Sequence, residues 1–90
     1  MKNTNIAKLI TGEVVIGYFE DNNEEFLREC YILILNPTED GKSRLNLYPY
    51  MVPFTDKGSD IDSNAIICTV RVPEELEKKY FETISGILMP

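Results

Sequence analysis

The chain has 90 residues, with nine Lys and Arg against fifteen Asp and Glu, no histidine, and a formal charge of −6. That length fills one domain and leaves no residues for a second core. The acidic balance repels nucleic acid at long range and excludes a generic basic binding surface, although a local basic rim stays open. Without histidine, nucleophilic triads in their usual form are excluded.

Domains this small commonly need a disulfide, a metal or assembly to reach useful stability. Cys30 and Cys68 each sit inside an apolar, β-branched run, where a thiol behaves as a small hydrophobe. Met1–Ala7 is polar and offers no secretory core, so a reducing, cytoplasmic compartment and free thiols are expected. No metal or other cofactor is expected, because the cysteines are not clustered and histidine is absent. No apolar run approaches the roughly twenty residues that span a bilayer, which predicts a soluble protein without membrane partners. Self-assembly remains as the route to stability.

Two short runs around Thr11-Gly12-Glu13 predict a first hairpin, with strands over 6–10 and 14–20. Val14, Ile16 and Tyr18 share one face of the second strand, and Val15, Gly17 and Phe19 the other. Gly17 in mid-strand marks a sharp bend or a close backbone approach. After the polar turn Asp21–Glu24, a third strand is predicted over 26–35. Its run Cys30–Leu35 is apolar at every position, which predicts cover on both faces.

Asn36-Pro37 ends that strand, and Asp40-Gly41 marks a tight turn. The segment 44–54 reads as a strand up to about Tyr48, then as an edge, bulge or extended arm, because Pro49 and Pro53 cannot donate to a ladder. Thr55–Asn64 reads as a polar loop, and a last strand is predicted over 65–72. Pro73 followed by Glu74 and Glu75 opens a helix over 74–86. Leu76, Tyr80, Ile84 and Leu88, widened by Phe81 and Ile87, give it an apolar stripe that should dock on the sheet.

The segment Leu9–Asp21, with Gly12, Val15, Gly17 and Phe19 at their spacings, resembles the first Sm motif. Ser63-Asn64-Ala65-Ile66-Ile67 falls where the shorter second motif would lie. Lys8–Glu13, Asn36-Pro37, Pro49–Phe54 and Glu75-Leu76 with Tyr80 are similar, in that order, to Sm-like proteins of marine phage and ocean metagenomes.

The resemblance implies a strongly bent five-stranded antiparallel sheet (a small open barrel); Sm proteins typically carry a helix before the sheet, whereas here, as in the marine phage group, a C-terminal helix follows it. It also implies a cyclic homo-oligomer of about five to seven copies, working in a bacterial or phage-infected cytoplasm. Single-stranded, uridine-rich RNA would bind its inner surface, without catalysis. The RNA contacts so implied are Asn22, Asn23, Ser63 and Asn64 in two converging loops, with Tyr48 and Tyr50 as stacking aromatics. Asparagine and serine also build turns, and the prolines beside the tyrosines fit a packing arm equally. The chain departs from the motifs at the steps that grip RNA: Asn22–Phe26 replaces a Met-Asn step, and Ser63-Asn64 an Arg-Gly or Lys-Gly step. A structural or protein-interaction ring without a nucleic-acid site is therefore the alternative expectation.

Paired acids such as Glu24-Glu25, Glu74-Glu75 and Asp60/Asp62 read as solvated surface charge rather than as an acid–base pair. Asp56, Asp60 and Asp62 lack the full spacing of a calcium loop.

Overall fold

The computed structural model describes residues 3–86. It is mainly β: an open antiparallel sheet followed by one helix. The strands are β1 (Asn3–Leu9), β2 (Val14–Glu20), β3 (Asn23–Pro37), β4 (Ser43–Pro49), β5 (Ser59–Asp62) and β6 (Ile66–Arg71). A 3₁₀ turn, Ser63–Ala65, separates β5 from β6, and α1 spans Glu74–Gly86. The sheet order is β4-β3-β2-β1-β6, with β5 also on β3. The helical stripe is seated as expected through Leu76, Tyr80, Phe81 and Ile84, whereas Ile87 and Leu88 lie outside the described residues.

Strand β4 pairs with the outer half of β3, Tyr31 opposite Pro49 through Pro37 opposite Ser43. Strand β5 pairs with its inner half, from Cys30 opposite Ser59 to Phe26 opposite Asp62. Adjacent β3 residues thus face Pro49 and Ser59. β4 and β5 are one edge interrupted by the excursion Tyr50–Gly58. Within the segment 44–54 the strand ends at Pro49, close to the end expected near Tyr48, and the second proline four residues on prevents a continued ladder. One expectation is corrected: the loop expected over 55–64 contains a strand, because β3 offers Ser59–Asp62 a ready edge and Ile61 a buried site.

The bend centres on Arg28-Glu29. Ile16 and Tyr18 on β2 face Tyr31 and Arg28, so β3 carries one extra residue over that interval. The same surplus recurs against β5. Glu29 absorbs it with φ 48°, a left-handed conformation that costs an L-residue about 1 kcal/mol or more. The bulge reverses side-chain parity, so Leu27 and Cys30 both enter one core although three positions apart.

Partners hold the bulge in place. The Glu29 amide donates to Asp60 Oδ1 (3.1 Å), and the Tyr80 hydroxyl donates to the Glu29 carbonyl (2.8 Å). Gly17 lies so close that a Cβ there would meet Arg28 O at 2.7 Å and Leu27 Cγ at 2.8 Å. Gly58 presses on the other side, where a Cβ would meet the Glu29 carbonyl carbon at 2.6 Å. The close approach expected of Gly17 is therefore observed, and it occurs at the bend.

Two apolar clusters occupy the two faces of the sheet. Ala7, Leu9, Val15, Phe19, Leu27, Cys30 and Ile61 form one, with Ile32, Tyr50, Ala65 and Ile66 against it. Ile16, Tyr31, Val72 and Tyr80 form the other, beneath α1. Tyr31 and Tyr80 meet edge to face at 6.2 Å, an orientation that aligns positive ring edge with negative ring face. The cover expected over the whole of β3 extends only as far as Leu33. Ile34 and Leu35 are exposed, because α1 and the rest of the sheet end short of the β3–β4 tip.

Candidate functional site

The β2–β3 connection turns at Asp21-Asn22, with Asn22 at φ 60°, and Asn23 already begins β3. Both asparagines are exposed, and Asn23 Oδ1 accepts the Glu25 amide (3.1 Å). The Asp62 side chain caps the 3₁₀ turn by accepting the Asn64 amide (2.8 Å), which leaves the Asn64 side chain exposed and Ser63 half-buried. Because Phe26 pairs with Asp62, the Asn22-Asn23 turn and the Ser63-Asn64 turn lie at one end of the sheet. The two loops expected to converge are thus at the same end.

Tyr48 and Tyr50 are elsewhere. Tyr48 pairs with Ile32, six residues along β3 from Phe26, a contour distance of about 20 Å. Tyr48 is exposed, while Tyr50 packs half-buried against the core and donates its amide to the Cys30 carbonyl (3.2 Å). The six residues therefore divide into one polar loop pair and one aromatic pair on a separate part of the sheet, only one of whose rings is open.

The loop end is strongly acidic. Among the described residues, Glu20, Asp21, Glu24, Glu25, Asp60 and Asp62 line it, and the cation Arg28 among them is engaged twice. Arg28 Nε reaches Glu20 at 2.9 Å, and Arg28 Nη1 reaches Asp60 Oδ2 at 2.7 Å. Asp60 Oδ1 also accepts the bulge amide, and Asp62 Oδ1 caps the 3₁₀ turn. Among the described residues, no group of His, Cys, Asp or Glu is placed to hold a metal ion.

A half-open concavity beside this end lies between the start of β1, Asp21, Arg71 and the first turn of α1. Asn3, Thr4, Asn5, Val72, Glu74 and Glu77 complete its mostly polar wall, which carries three acids and one arginine. It has neither the apolar lining nor the convergent donors of a small-molecule pocket. No described helix is long and apolar enough to cross a membrane.

The thiols differ. Cys30 is buried, donates to the Leu27 carbonyl (3.2 Å), and is pushed up to about 12 by burial and by the Asp60 charge. Cys68 is exposed on β6, contrary to the apolar setting expected for it, because β6 is an outermost strand.

A second surface lies along the edges of the sheet. β4 and β6 end the sheet, and among the described residues each presents an outer row of backbone groups with no strand partner, the Leu45 carbonyl accepting Lys79 Nζ. Beside these edges, Ile10 (65% exposed), Ile67 (62%), Val70 (56%), Met51 (46%), Val52 (48%) and Phe54 (85%) face solvent. The signal in the sequence was Ile66–Val72, whose apolar residues are not confined to one face. That pattern reads as burial within the chain and equally as contact beyond it.

No family model matches the chain, and no curated protein matches it.

Proposed function

We propose that the protein is a non-catalytic, self-assembling subunit whose β4 and β6 edges pair between copies into an Sm-like ring. The ring would work as a structural or protein-interaction platform. The observation that carries this reading is the pair of open edges flanked by exposed aliphatic and aromatic side chains. β4 and β6 are matched in length at seven and six residues. Pairing them removes both unpaired rows and covers apolar surface in one step. The two edges are different surfaces, so the contact is head-to-tail and closes into a ring if the rotation per copy divides a full turn. Light scattering on the purified chain at micromolar concentration is the test. A mass several times 10.3 kDa is expected, and a monomer throughout overturns the reading.

Single-stranded RNA is the second reading, favoured by the placement of Asn22, Asn23 and Asn64 at one end of the sheet. Exposed amides there can hydrogen-bond base edges. Among the described residues, six carboxylates around an engaged arginine oppose it, since phosphate binding depends on cations that release counterions. Titration of the assembled protein with a labelled uridine-rich oligonucleotide at low salt separates the readings. Saturable binding lost in Asn22→Ala with Asn64→Ala supports RNA, and no binding leaves the protein platform.

A further inference from the structure

We propose that the excursion Tyr50–Gly58 is a clasp, which seats Phe54, Met51 and Val52 of one copy against Ile10 and Ile67 of the next. The inference rests on the edge-paired assembly above and names the contact that fixes its register.

The clasp is held at both ends. Tyr50 is packed against the core, and Gly58 is pressed onto Glu29, so the span between them is presented outward from the sheet edge. It is also ordered within itself. The Val52 amide donates to the Pro49 carbonyl (3.0 Å), the Phe54 amide to the Met51 carbonyl (2.8 Å), and the Lys57 amide to Thr55 Oγ1 (3.1 Å). Two consecutive turns therefore hold a phenylalanine that is 85% exposed. A structured segment that keeps its largest apolar side chain in water offers an anchor to a partner rather than a contact to its own core.

A second copy supplies the matching surface. The Ile10 amide donates to the Ala65 carbonyl (2.8 Å), which brings Ile10 beside the start of β6, the strand that carries Ile67. Both isoleucines are more than half exposed.

Charge fixes the direction of pairing. β4 follows Lys42, contains Arg44 and ends at the clasp; β6 starts at the two isoleucines and leads into Glu74-Glu75. Antiparallel pairing sets Lys42 and Arg44 at the end of β6 that carries Glu74 and Glu75 as well as Arg71, and the clasp beside Ile10 and Ile67. Parallel pairing sets the clasp on Arg71 and the acids, and the two cations on the isoleucines. Only the antiparallel arrangement joins apolar to apolar surface and brings the two cations to the acids.

Cys68, exposed and one residue from Ile67, makes the contact trappable. In Phe54→Cys treated with diamide, the thiol at position 54 and Cys68 of the next copy are oxidised to a disulfide while diamide is reduced to its hydrazine. Non-reducing denaturing gels are expected to show covalent dimers, trimers and higher multiples, all lost when Cys68→Ser is added. Ladders that stop at dimers and persist with Cys68→Ser report 54-to-54 contact and overturn the clasp, as does a purely intrachain or absent cross-link. Independently, Phe54→Ser should weaken association about ten-fold or more, as loss of an anchor does, with the circular dichroism unchanged. Unaltered association overturns the clasp while edge pairing stands. A wild-type chain that never assembles overturns edge pairing itself.

Discussion

Glu29 holds a conformation that its own side chain gives no reason to adopt. Its left-handed backbone is stabilised by groups distant in sequence: the Asp60 carboxylate, the Tyr80 hydroxyl and the two glycines that flank the bulge. This is why the bend was legible at Gly17 and illegible at Glu29, since a missing side chain leaves a mark in the sequence and a tertiary acceptor does not. Gly17→Ala should cost about 2–3 kcal/mol in urea unfolding, because backbone and core atoms, not a flexible chain end, occupy the Cβ position. Tyr80→Phe should cost about 1–2 kcal/mol by removing the hydroxyl that satisfies the bulge carbonyl.

Protonation adds a test at the same scale. Burial raises Cys30 to about 12, and burial followed by the Glu29 charge raises Tyr80, so both groups stay protonated in the folded state where the unfolded chain has begun to ionise. Stability from a raised acid is complete below its unfolded value and is lost as pH climbs towards the folded one. The urea midpoint should therefore fall above about pH 8.5, with each group contributing up to about 1.4 kcal/mol per pH unit across its window. Cys30→Ala should flatten the first part of that fall, and an unchanged slope would show that Cys30 ionises freely.

At the scale of elements, the hairpins, the helix and the Asp40-Gly41 turn follow from local chemistry. Gly41 at φ 81° and the Thr38–Lys42 backbone bond form the turn that the dipeptide announces. β5 was not legible, because Ser59-Asp60-Ile61-Asp62 carries a single apolar residue and joins the sheet only through the ladder that β3 offers. Its membership is nonetheless energetic. Ile61 is 7% exposed, and Ile61→Ala should cost about 2–4 kcal/mol, against less than about 0.5 if the segment were a loop. Val70→Ala, at a site 56% exposed on the last strand, should leave the unfolding of an isolated chain nearly unchanged and show its effect only in association.

At the scale of the molecule, the apolar content of the sequence exceeds what one chain buries. Ile34 and Leu35 read as covered in the sequence and lie at the surface in the fold, where Ile67, Val70 and Phe54 are exposed as well. Sequence patterns report that a residue will be covered and are silent about whether its own chain does the covering. The polar half of the candidate site was legible in the same partial way. Asn22, Asn23, Ser63 and Asn64 do share one end, but the carboxylates that set its potential come together only when β5 meets β3. Assembly accordingly turns on the edges.

Hydrogen–deuterium exchange resolved along β4 and β6 tests it most directly, because unpaired edge amides exchange with solvent and paired ones do not. At micromolar concentration, the outward amides of Ser43–Leu47 and Ile66–Arg71 are predicted to be protected together and to lose protection together on dilution. Edge amides that exchange as freely as those of the Thr38–Lys42 turn at every concentration would contradict it.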